Sequence, residues 1–387
     1  MSQPIMVACD LHDKTMVLKL AVGTERPEKM TLANTTSGRQ KLIAELRQRA
    51  AALEGAKVMF AYEASGLGFG LYDELSAAGI ECHVLAPTCI ARSVRQRRNK
   101  TDERDADQIL EVLRGHVLAG NRLPQVWIPD HQTRDDRELL RMRLDVAEKI
   151  TRIKAQVRTL LKRNHTRRPE GLGDGWTVPF RAWLAQWTKA QGGWKSGVRE
   201  ALASLLRQLE SLEKELKRLN KAVLKLASEK RYAATLDRMV LELKGVGYLT
   251  ALVFLTEVGD LARFANRRQI AAYLGLAPAA DESGDRNDAK GHITHQGPSR
   301  VRKLLCQAVW SRVRTDPEEA AVYARLVAKN PKHKKIAIVA GMRRLAIRMW
   351  HSGQRAAAAQ EDGGRDHQAP RSLPPPPHPP SPLLCCP

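Results

Sequence analysis

The chain has no apolar run long enough to cross a membrane. Its longest apolar stretches, such as Tyr248 to Thr256, fall well short of the ~20 residues that a membrane-spanning helix needs. The first residues, Met1 to Pro4, lack a basic region followed by an apolar core, so no secretory signal is expected. These absences predict a cytoplasmic protein without a membrane partner.

Paired cysteine motifs are also absent. The six cysteines form no CxxC pair and show no regular spacing. This pattern argues against a disulfide framework and against a zinc ribbon, and buried free thiols are the simpler interpretation.

Negative charge is scarce. Only 42 Asp and Glu residues accompany 64 Lys and Arg residues among 387, which gives a formal net charge of +22. Such an excess causes self-repulsion unless a polyanion neutralises it. Nucleic acid is therefore the expected partner.

Composition divides the chain into four regions. Residues 1–130 alternate short β-like runs with helical stretches, which predicts an α/β domain. The short connection at His12 to Lys14 favours an antiparallel hairpin at the start of a mixed sheet. Residues 131–230 are typical of long helices and 231–350 of a second, mainly helical unit. Residues 351–387 are Pro-rich at their end, and we expect a disordered tail there.

A heptad pattern occupies the middle region. Apolar residues recur at alternating spacings of four and three from Val198 to Leu226, which predicts a coiled coil. The helix from Leu139 to Leu161 has similar spacing, so the two could pair as an antiparallel hairpin, or one could form a dimer contact. We expect this region to serve assembly or nucleic-acid binding. The intervening tryptophans could pack locally, which is favoured, or stack on bases.

Four carboxylates form the strongest candidate site for chemistry. Asp10 and Glu63 follow apolar strands, at positions where sites on open α/β sheets form. Asp102 and Asp105 stand three apart at the start of a predicted helix, so they share one face. Carboxylate oxygens suit Mg²⁺, and two such ions could hold the attacking and leaving oxygens of a phosphoryl displacement. Alternatively, the helical pair serves as an N-cap and a first-turn acid.

A basic cluster adjoins the second carboxylate pair. Six cations and only two acids fall within thirteen positions. The cations are Arg92, Arg95, Arg97, Arg98, Lys100 and Arg104. We expect this cluster to contact phosphates rather than to form a solvated face.

Two features of the C-terminal half favour phosphate contact. Gly245 and Gly247 have the form of a helix-hairpin-helix turn, in which backbone N–H groups reach a phosphate, although a lone GxG often means only a tight turn. Ser283 precedes a glycine and is a candidate nucleophile, because nearby cations would stabilise a transferring phosphate. Those cations are Arg286, Lys290, Arg300 and Arg302.

In this order, the residues resemble the DEDD transposases of the insertion-sequence family numbered one hundred and ten, the bridge-RNA-guided recombinases related to pilin-gene invertases. The resemblance covers roughly residues 5 to 350. Its N-terminal marks are Val7-Ala8-Cys9-Asp10, Tyr62 to Gly66 and Lys100 to Ala106. Its C-terminal marks are Gly245 to Gly247, Phe264, Arg268 to Pro278, Ser283-Gly284 and Gly291 to Thr294.

The resemblance implies an RNase H-like (RuvC-like) N-terminal domain whose tetrad binds Mg²⁺; the tetrad maps onto Asp10, Glu63, Asp102 and Asp105. It implies that Ser283 attacks DNA and forms a covalent 5′-phosphoserine. It also implies that each active site draws on two protomers of a dimer or tetramer, and that a structured bridge RNA pairs with donor and target DNA.

One departure from the family concerns the nucleophile. The family usually continues Ser-Gly-Gly-Lys, whereas Asp285 and Arg286 follow here, and Ser299 is the alternative nucleophile. We therefore expect a bacterial, nucleoid-associated DNA transposase or recombinase. The alternatives are a RuvC-like junction-resolving nuclease that uses only carboxylates and water, and a non-enzymatic basic scaffold.

Overall fold

The computed structural model describes residues 3–90, 102–173, 175–189, 193–280, 290–328 and 330–362. The chain forms two compact units, Met1–Ile128 and Pro129–Pro387. No helix within the described ranges is apolar over a length that could cross a membrane.

The first unit is built on a five-stranded mixed sheet with the order β3-β2-β1-β4-β5. Its strands are β1 (Ile5–Leu11), β2 (Thr15–Val22), β3 (Glu28–Ala33), β4 (Val58–Glu63) and β5 (Glu81–Leu85). Strand β1 pairs antiparallel with β2 and parallel with β4, which confirms the predicted hairpin and mixed sheet. Strand β3 adds antiparallel to β2, and β5 adds parallel to β4.

Edge strand β3 has no counterpart among the four strands that the sequence predicts, which are Ile5 to Cys9, Thr15 to Val22, Lys57 to Tyr62 and Glu81 to Leu85. Its residues are exposed except for the half-buried Met30 and Leu32, which pack on the core. An edge strand with one solvated face carries no continuous apolar run, and such runs were the signal for the buried strands.

Helices cover both faces of this sheet. Helices α1 (Thr36–Ala52) and α2 (Gly70–Ala77) pack on one face, and α3 (Asp102–Ala119) packs on the other through Ile109 and Leu113. The central strand β1 is therefore covered on both sides, and its first five residues are fully buried.

The start of α3 is anchored to the sheet by a buried lysine. Lys19 on β2 keeps only 9% of its side chain exposed, and its Nζ lies 2.8 Å from Glu103 Oε1 and 3.2 Å from Asp107 Oδ1. Lys29 on β3 donates to the other Glu103 oxygen at 2.7 Å. The Glu103 hydrogen bond raises the pKa of Lys19, and the hydrogen bonds from Lys19 and Lys29 lower the pKa of Glu103 to about 2. These contacts fix the first turn of α3 on the sheet.

The two long helices of the second unit pair within the chain. Arg143 Nε on α4 (His131–Arg163) donates to Asn220 Oδ1 on α6 (Ser196–Ala227) at 3.0 Å. Further along α4, Val157 packs with Leu202 near the start of α6. The helices therefore run antiparallel, which is the hairpin alternative of the two arrangements left open by the heptad pattern.

The aromatic residues between these helices pack on one another, as favoured from the sequence. Successive ring centroids lie between 5.1 and 6.3 Å apart. The rings belong to Trp176, Phe180, Trp183, Trp187 and Trp194. Phe180 and Trp183 belong to α5 (Val178–Gln186), and the whole cluster packs at the end of the hairpin.

The remaining elements form a mainly helical body with a two-stranded sheet. They are α7 (Ala233–Glu242), α8 (Tyr248–Val258), α9 (Arg267–Tyr273), β6 (Pro278–Ala280), β7 (Lys290–Ile293), α10 (Ser299–Thr315), α11 (Pro317–Ala328) and α12 (Lys334–Asp362). Their core is centred on buried residues such as Met239, Phe254, Leu305 and Met349.

Helix α12 corrects the predicted start of the tail. It continues to Asp362, beyond residue 351, where a disordered tail is expected from the sequence. The extension is stable because Ser352 and Ala356 are buried, and Trp350 Nε1 donates to the Leu261 carbonyl at 2.9 Å. The rest of that tail, 363–387, lies outside the described residues.

The Glu103 contact predicts a pH dependence of stability. The folded pKa of Glu103 is lowered from 4.5 to about 2, so its contribution is present above pH 4.5 and is lost as the pH falls toward 2. Glu103→Gln should therefore lower the thermal midpoint at neutral pH, and its difference from the wild type should disappear near pH 2.

The matched control is Glu111→Gln, the same change at an exposed position of α3. We expect no comparable pH-dependent difference for it. A Glu103→Gln difference that stayed constant from pH 7 to pH 2 would contradict the anchoring role.

Candidate metal centre and nucleic-acid surface

Strands β1 and β4 end side by side, and each ends near a carboxylate. The parallel pairing matches Cys9 with Tyr62, which places Asp10 and Glu63 one step further along at the same edge of the sheet. Asp10 keeps 14% of its side chain exposed, and Glu63 is half-buried. The two strand-end residues thus occupy the common edge that their positions in the sequence predict.

Three side chains converge at this edge. His12 Nε2 lies 3.0 Å from Asp10 Oδ2 and 3.4 Å from Asp102 Oδ1. One potential ligand atom from each of the three lies within 4.8 Å of the others. The first turn of α3 therefore brings Asp102 to the end of β1.

His12 is absent from the set predicted from the sequence. It follows Asp10 by two positions at a strand end, and residues two apart in a strand point to the same side. That periodicity is the signal that could have identified it.

The electrostatics of Asp10 reflect its crowded surroundings. Burial raises the pKa of Asp10, His12 acts against that rise, and the negative charges of Asp105 and Asp102 add to it. Asp105 is itself only 8% exposed. A divalent cation among these oxygens would offset both the burial and the repulsion between carboxylates.

The donor set fits a divalent metal ion. Carboxylate oxygens are the preferred ligands of hard cations, and an imidazole nitrogen is a ligand for transition metals. Asp10, His12 and Asp102 would hold the ion, with Asp105 three residues further along in the same first turn of α3.

The basic cluster beside the site is described only at its end. Arg92, Arg95, Arg97, Arg98 and Lys100 lie outside the described residues. Arg104 is exposed in the first turn of α3, next to the buried Asp105.

The segment that carries the candidate nucleophile is flanked in the sequence by the two strands of a small sheet. Ser283 and Arg286 lie outside the described residues, but Ala280 of β6 pairs with Lys290 of β7 on either side of them. Ser299, the alternative nucleophile, is exposed at the start of α10.

Two further predicted phosphate ligands have partners within the protein. Arg302 Nη1 donates to the carbonyls of Leu274, Gln296 and Gly297 at 3.2, 2.9 and 3.1 Å. Burial lowers the pKa of Arg302, and its guanidinium holds the turn before α10. Arg300 Nη2 lies 3.4 Å from Asp145 Oδ1.

The turn between α7 and α8 has a structural reason for its first glycine. Gly245 adopts φ +78°, and a Cβ there would lie 2.8 Å from Arg312 Cγ. Arg312 also donates to the Lys244 carbonyl at 2.7 Å. Gly247, by contrast, has open space where a Cβ would stand and immediately precedes α8. Packing therefore explains the glycine at position 245 but not the one at 247.

Comparison with known proteins identifies two family models in the chain. A model described as "DEDD_Tnp_IS110: Transposase" matches residues 7–166. A second, described as "Transposase IS116/IS110/IS902 family", matches residues 237–324. The first match includes all four predicted carboxylates, and the second includes both glycines of the turn and Ser283.

Individual relatives extend the similarity over most of the chain. "Putative transposase y4rJ" of Sinorhizobium fredii is 30% identical over 370 residues, which are 89% of this chain and 91% of that protein. "Putative transposase y4qE" of the same organism is 31% identical over 254 residues, which are 66% of this chain and 58% of that protein. "Transposase for insertion sequence element IS1533" of Leptospira borgpetersenii is 23% identical over 317 residues, 80% of this chain and 86% of that protein.

One family model covers the carboxylate edge and the other covers the turn between α7 and α8, and the 30% identical relative is matched over 91% of its length. The chain therefore belongs to the DEDD transposases of the IS110 family.

Proposed function

We propose that the protein cuts and rejoins donor and target DNA by Mg²⁺-dependent phosphoryl transfer at Asp10, Glu63, Asp102 and Asp105. The observation that carries this proposal is the convergence of Asp10 and Asp102, from distant parts of the sequence, at one edge of a sheet. A net charge of +22 on the chain as a whole suits a protein whose metal site works on a polyanion.

The first unit supports an RNase H-like assignment of this domain. Its order β3-β2-β1-β4-β5, with only β2 antiparallel to both neighbours, places the carboxylates of β1 and β4 at the same edge. Helix α3 crosses the sheet with its acidic first turn at that edge. We infer that residues 1–130 form the catalytic domain and that 231–350 contribute the serine.

The residues of the chain act by binding and positioning. When bound, Mg²⁺ would stabilise charge on the transferring phosphate and on the leaving oxygen. Asp10 and Asp102 would supply oxygen ligands, and His12, whose Nε2 lies 3.0 Å from an Asp10 oxygen and 3.4 Å from an Asp102 oxygen, would supply a nitrogen ligand. Lys19 would keep Asp102 at the edge indirectly, because it fixes Glu103 in the same turn of α3.

Ser283 is the proposed nucleophile. Its attack on the DNA backbone would form a 5′-phosphoserine and release a 3′ hydroxyl, which later reverses the step on the partner strand. Support comes from the cations that lie near it in the sequence and from the strand pair β6–β7, whose residues Ala280 and Lys290 flank 281–289 along the chain. We further propose guidance by a bridge RNA, a dimer or tetramer in which active sites are shared, and a nucleoid-associated location.

Loss of one metal ligand should separate cleavage from binding. Asp10→Asn should abolish strand cleavage in Mg²⁺ while nucleic-acid affinity stays within about twofold, because an oxygen ligand is lost without change to the basic surface. Cleavage is read on a denaturing gel and affinity by filter binding.

Asp13→Asn, an exposed change in the turn after β1, is the control and should cut normally. Normal cutting by Asp10→Asn would place the metal site elsewhere.

A covalent intermediate should depend on Ser283. Incubation with cognate DNA, RNA and Mg²⁺ should give a protein–DNA adduct that resists denaturation, and Ser283→Ala should abolish it. Ser299→Ala should keep the adduct.

The opposite pattern, with the adduct lost in Ser299→Ala alone, would transfer the nucleophile to Ser299. Cleavage without any adduct in the wild type would favour a junction-resolving nuclease that uses water.

A further inference from the structure

Helix α4 divides into two segments of different charge. Residues 131–148 carry five acidic and four basic side chains, whereas residues 149–168, which include the chain just after the helix, carry eight basic side chains and no acidic one. The eight are Lys149, Arg152, Lys154, Arg158, Lys162, Arg163, Arg167 and Arg168. The positive charge is therefore concentrated in the C-terminal half of α4 and in the residues just after it.

Charged side chains of the first segment pair with other residues of the protein. Arg141 Nε donates to Glu257 Oε1 at 3.0 Å, and Glu148 accepts from Lys303 at 2.6 Å. In the second segment, every basic residue except Lys154 is exposed. Lys154 instead lies over the Trp176 ring and 3.5 Å from a Glu213 oxygen.

The partner helix does not share this charge. The stretch of α6 that faces the second segment, residues 196–215, carries three basic and four acidic side chains. Arg181 on α5 is bound by Glu213 at 2.7 Å. The excess of positive charge therefore lies on the outer surface of α4 and not on the hairpin as a whole.

The exposed cations lie on both flanks of α4. With Ile150, Ile153 and Val157 buried against α6, a turn of 3.6 residues places the cations in two groups on either side of the outward line. One group is Lys149, Arg152 and Arg163, and the other is Arg158 and Lys162. We call residues 149–163 with these two groups the α4 basic face; at about 1.5 Å per residue it is about 21 Å long.

Close to Lys162, which lies at the edge of its group, the outward line of the helix is made of short, uncharged residues. It holds Thr151, Ala155 and Thr159. The two threonine hydroxyls donate to their own helix, to the carbonyls of Ala147 and Ala155 at 3.0 and 2.9 Å. The long cationic side chains therefore project furthest from this surface.

We infer that the α4 basic face binds duplex DNA, with the helix along the major groove and its two groups of cations on the phosphates that border it. A helix with its side chains is about 10–12 Å wide, and the major groove of B-form DNA is about 12 Å wide. The major groove of A-form RNA is too narrow to admit side chains in this way. This inference rests on the proposed function, in which DNA is a partner, and adds the α4 basic face as a DNA-binding surface of the second unit.

The test is a binding measurement that requires no cleavage, so it is independent of the carboxylates and of Ser283. Arg152→Gln, Lys162→Gln and Arg163→Gln are combined in the full-length protein, which removes charge from both flanks; glutamine preserves helix propensity. Affinity for a labelled DNA duplex should fall about tenfold or more. The slope of log K against log salt should decrease by about two to three, since each phosphate contact contributes about 0.9.

The matched control combines Lys217→Gln, Lys221→Gln and Lys225→Gln, three exposed lysines on α6. It removes the same charge and should change affinity by less than about threefold. Thermal midpoints of both variants should match the wild type, and a single Arg152→Gln variant provides the same comparison if the triple variant does not fold. Equal losses in the two sets would overturn the inference, because the affinity would then follow net charge alone. A loss confined to an RNA duplex of the same length would also overturn it.

Discussion

The ion pair between Lys19 and Glu103 joins the two parts of the first unit on which the acidic site depends. Asp10 belongs to the central strand, whose position is set by pairing on both sides, whereas Asp102 and Asp105 belong to a helix that packs across the sheet. Apolar contacts at Ile109 and Leu113 fix the body of that helix. Its first turn has no comparable apolar contact to the sheet, and the buried ammonium of Lys19 holds it through Glu103 and Asp107.

This arrangement accounts for a concentration of like charge that would otherwise be unfavourable. Burial and neighbouring carboxylates both raise the pKa of Asp10, and only His12 opposes them. Carboxylates with perturbed pKa values are common at functional sites. A bound cation offsets the unfavourable free energy of bringing their negative charges together. Lys19 stabilises the first turn of α3 through its ion pair with Glu103, and it is not one of the candidate metal ligands.

Much of the fold, and the position of Asp10 and Glu63 at one edge of the sheet, followed from the sequence. Buried strands such as β1 and β4 read as apolar runs, and the heptads from Val198 to Leu226 predicted the hairpin helix. Edge strand β3 was not predicted because one of its faces is solvated. His12 was not predicted because a single histidine gives little indication of a site until the end of the strand is located in space. The two glycines of the turn between α7 and α8 looked equivalent in sequence, and the structure distinguishes Gly245, where a Cβ would meet Arg312, from Gly247, where a Cβ would meet open space. Arg302 was predicted to bind phosphate, whereas three backbone carbonyls accept its hydrogen bonds.

The central claim is that Asp10 and Asp102 together hold a divalent metal ion, and direct binding of Mn²⁺ tests it most simply. Mn²⁺ takes the same oxygen ligands as Mg²⁺, and its free form is counted by electron paramagnetic resonance. The wild type should bind the ion in a titration without nucleic acid, and Asp102→Asn should weaken that binding at least about tenfold while Asp13→Asn, at an exposed position, retains it. Undiminished binding by Asp102→Asn, or equal losses in both variants, would contradict the account.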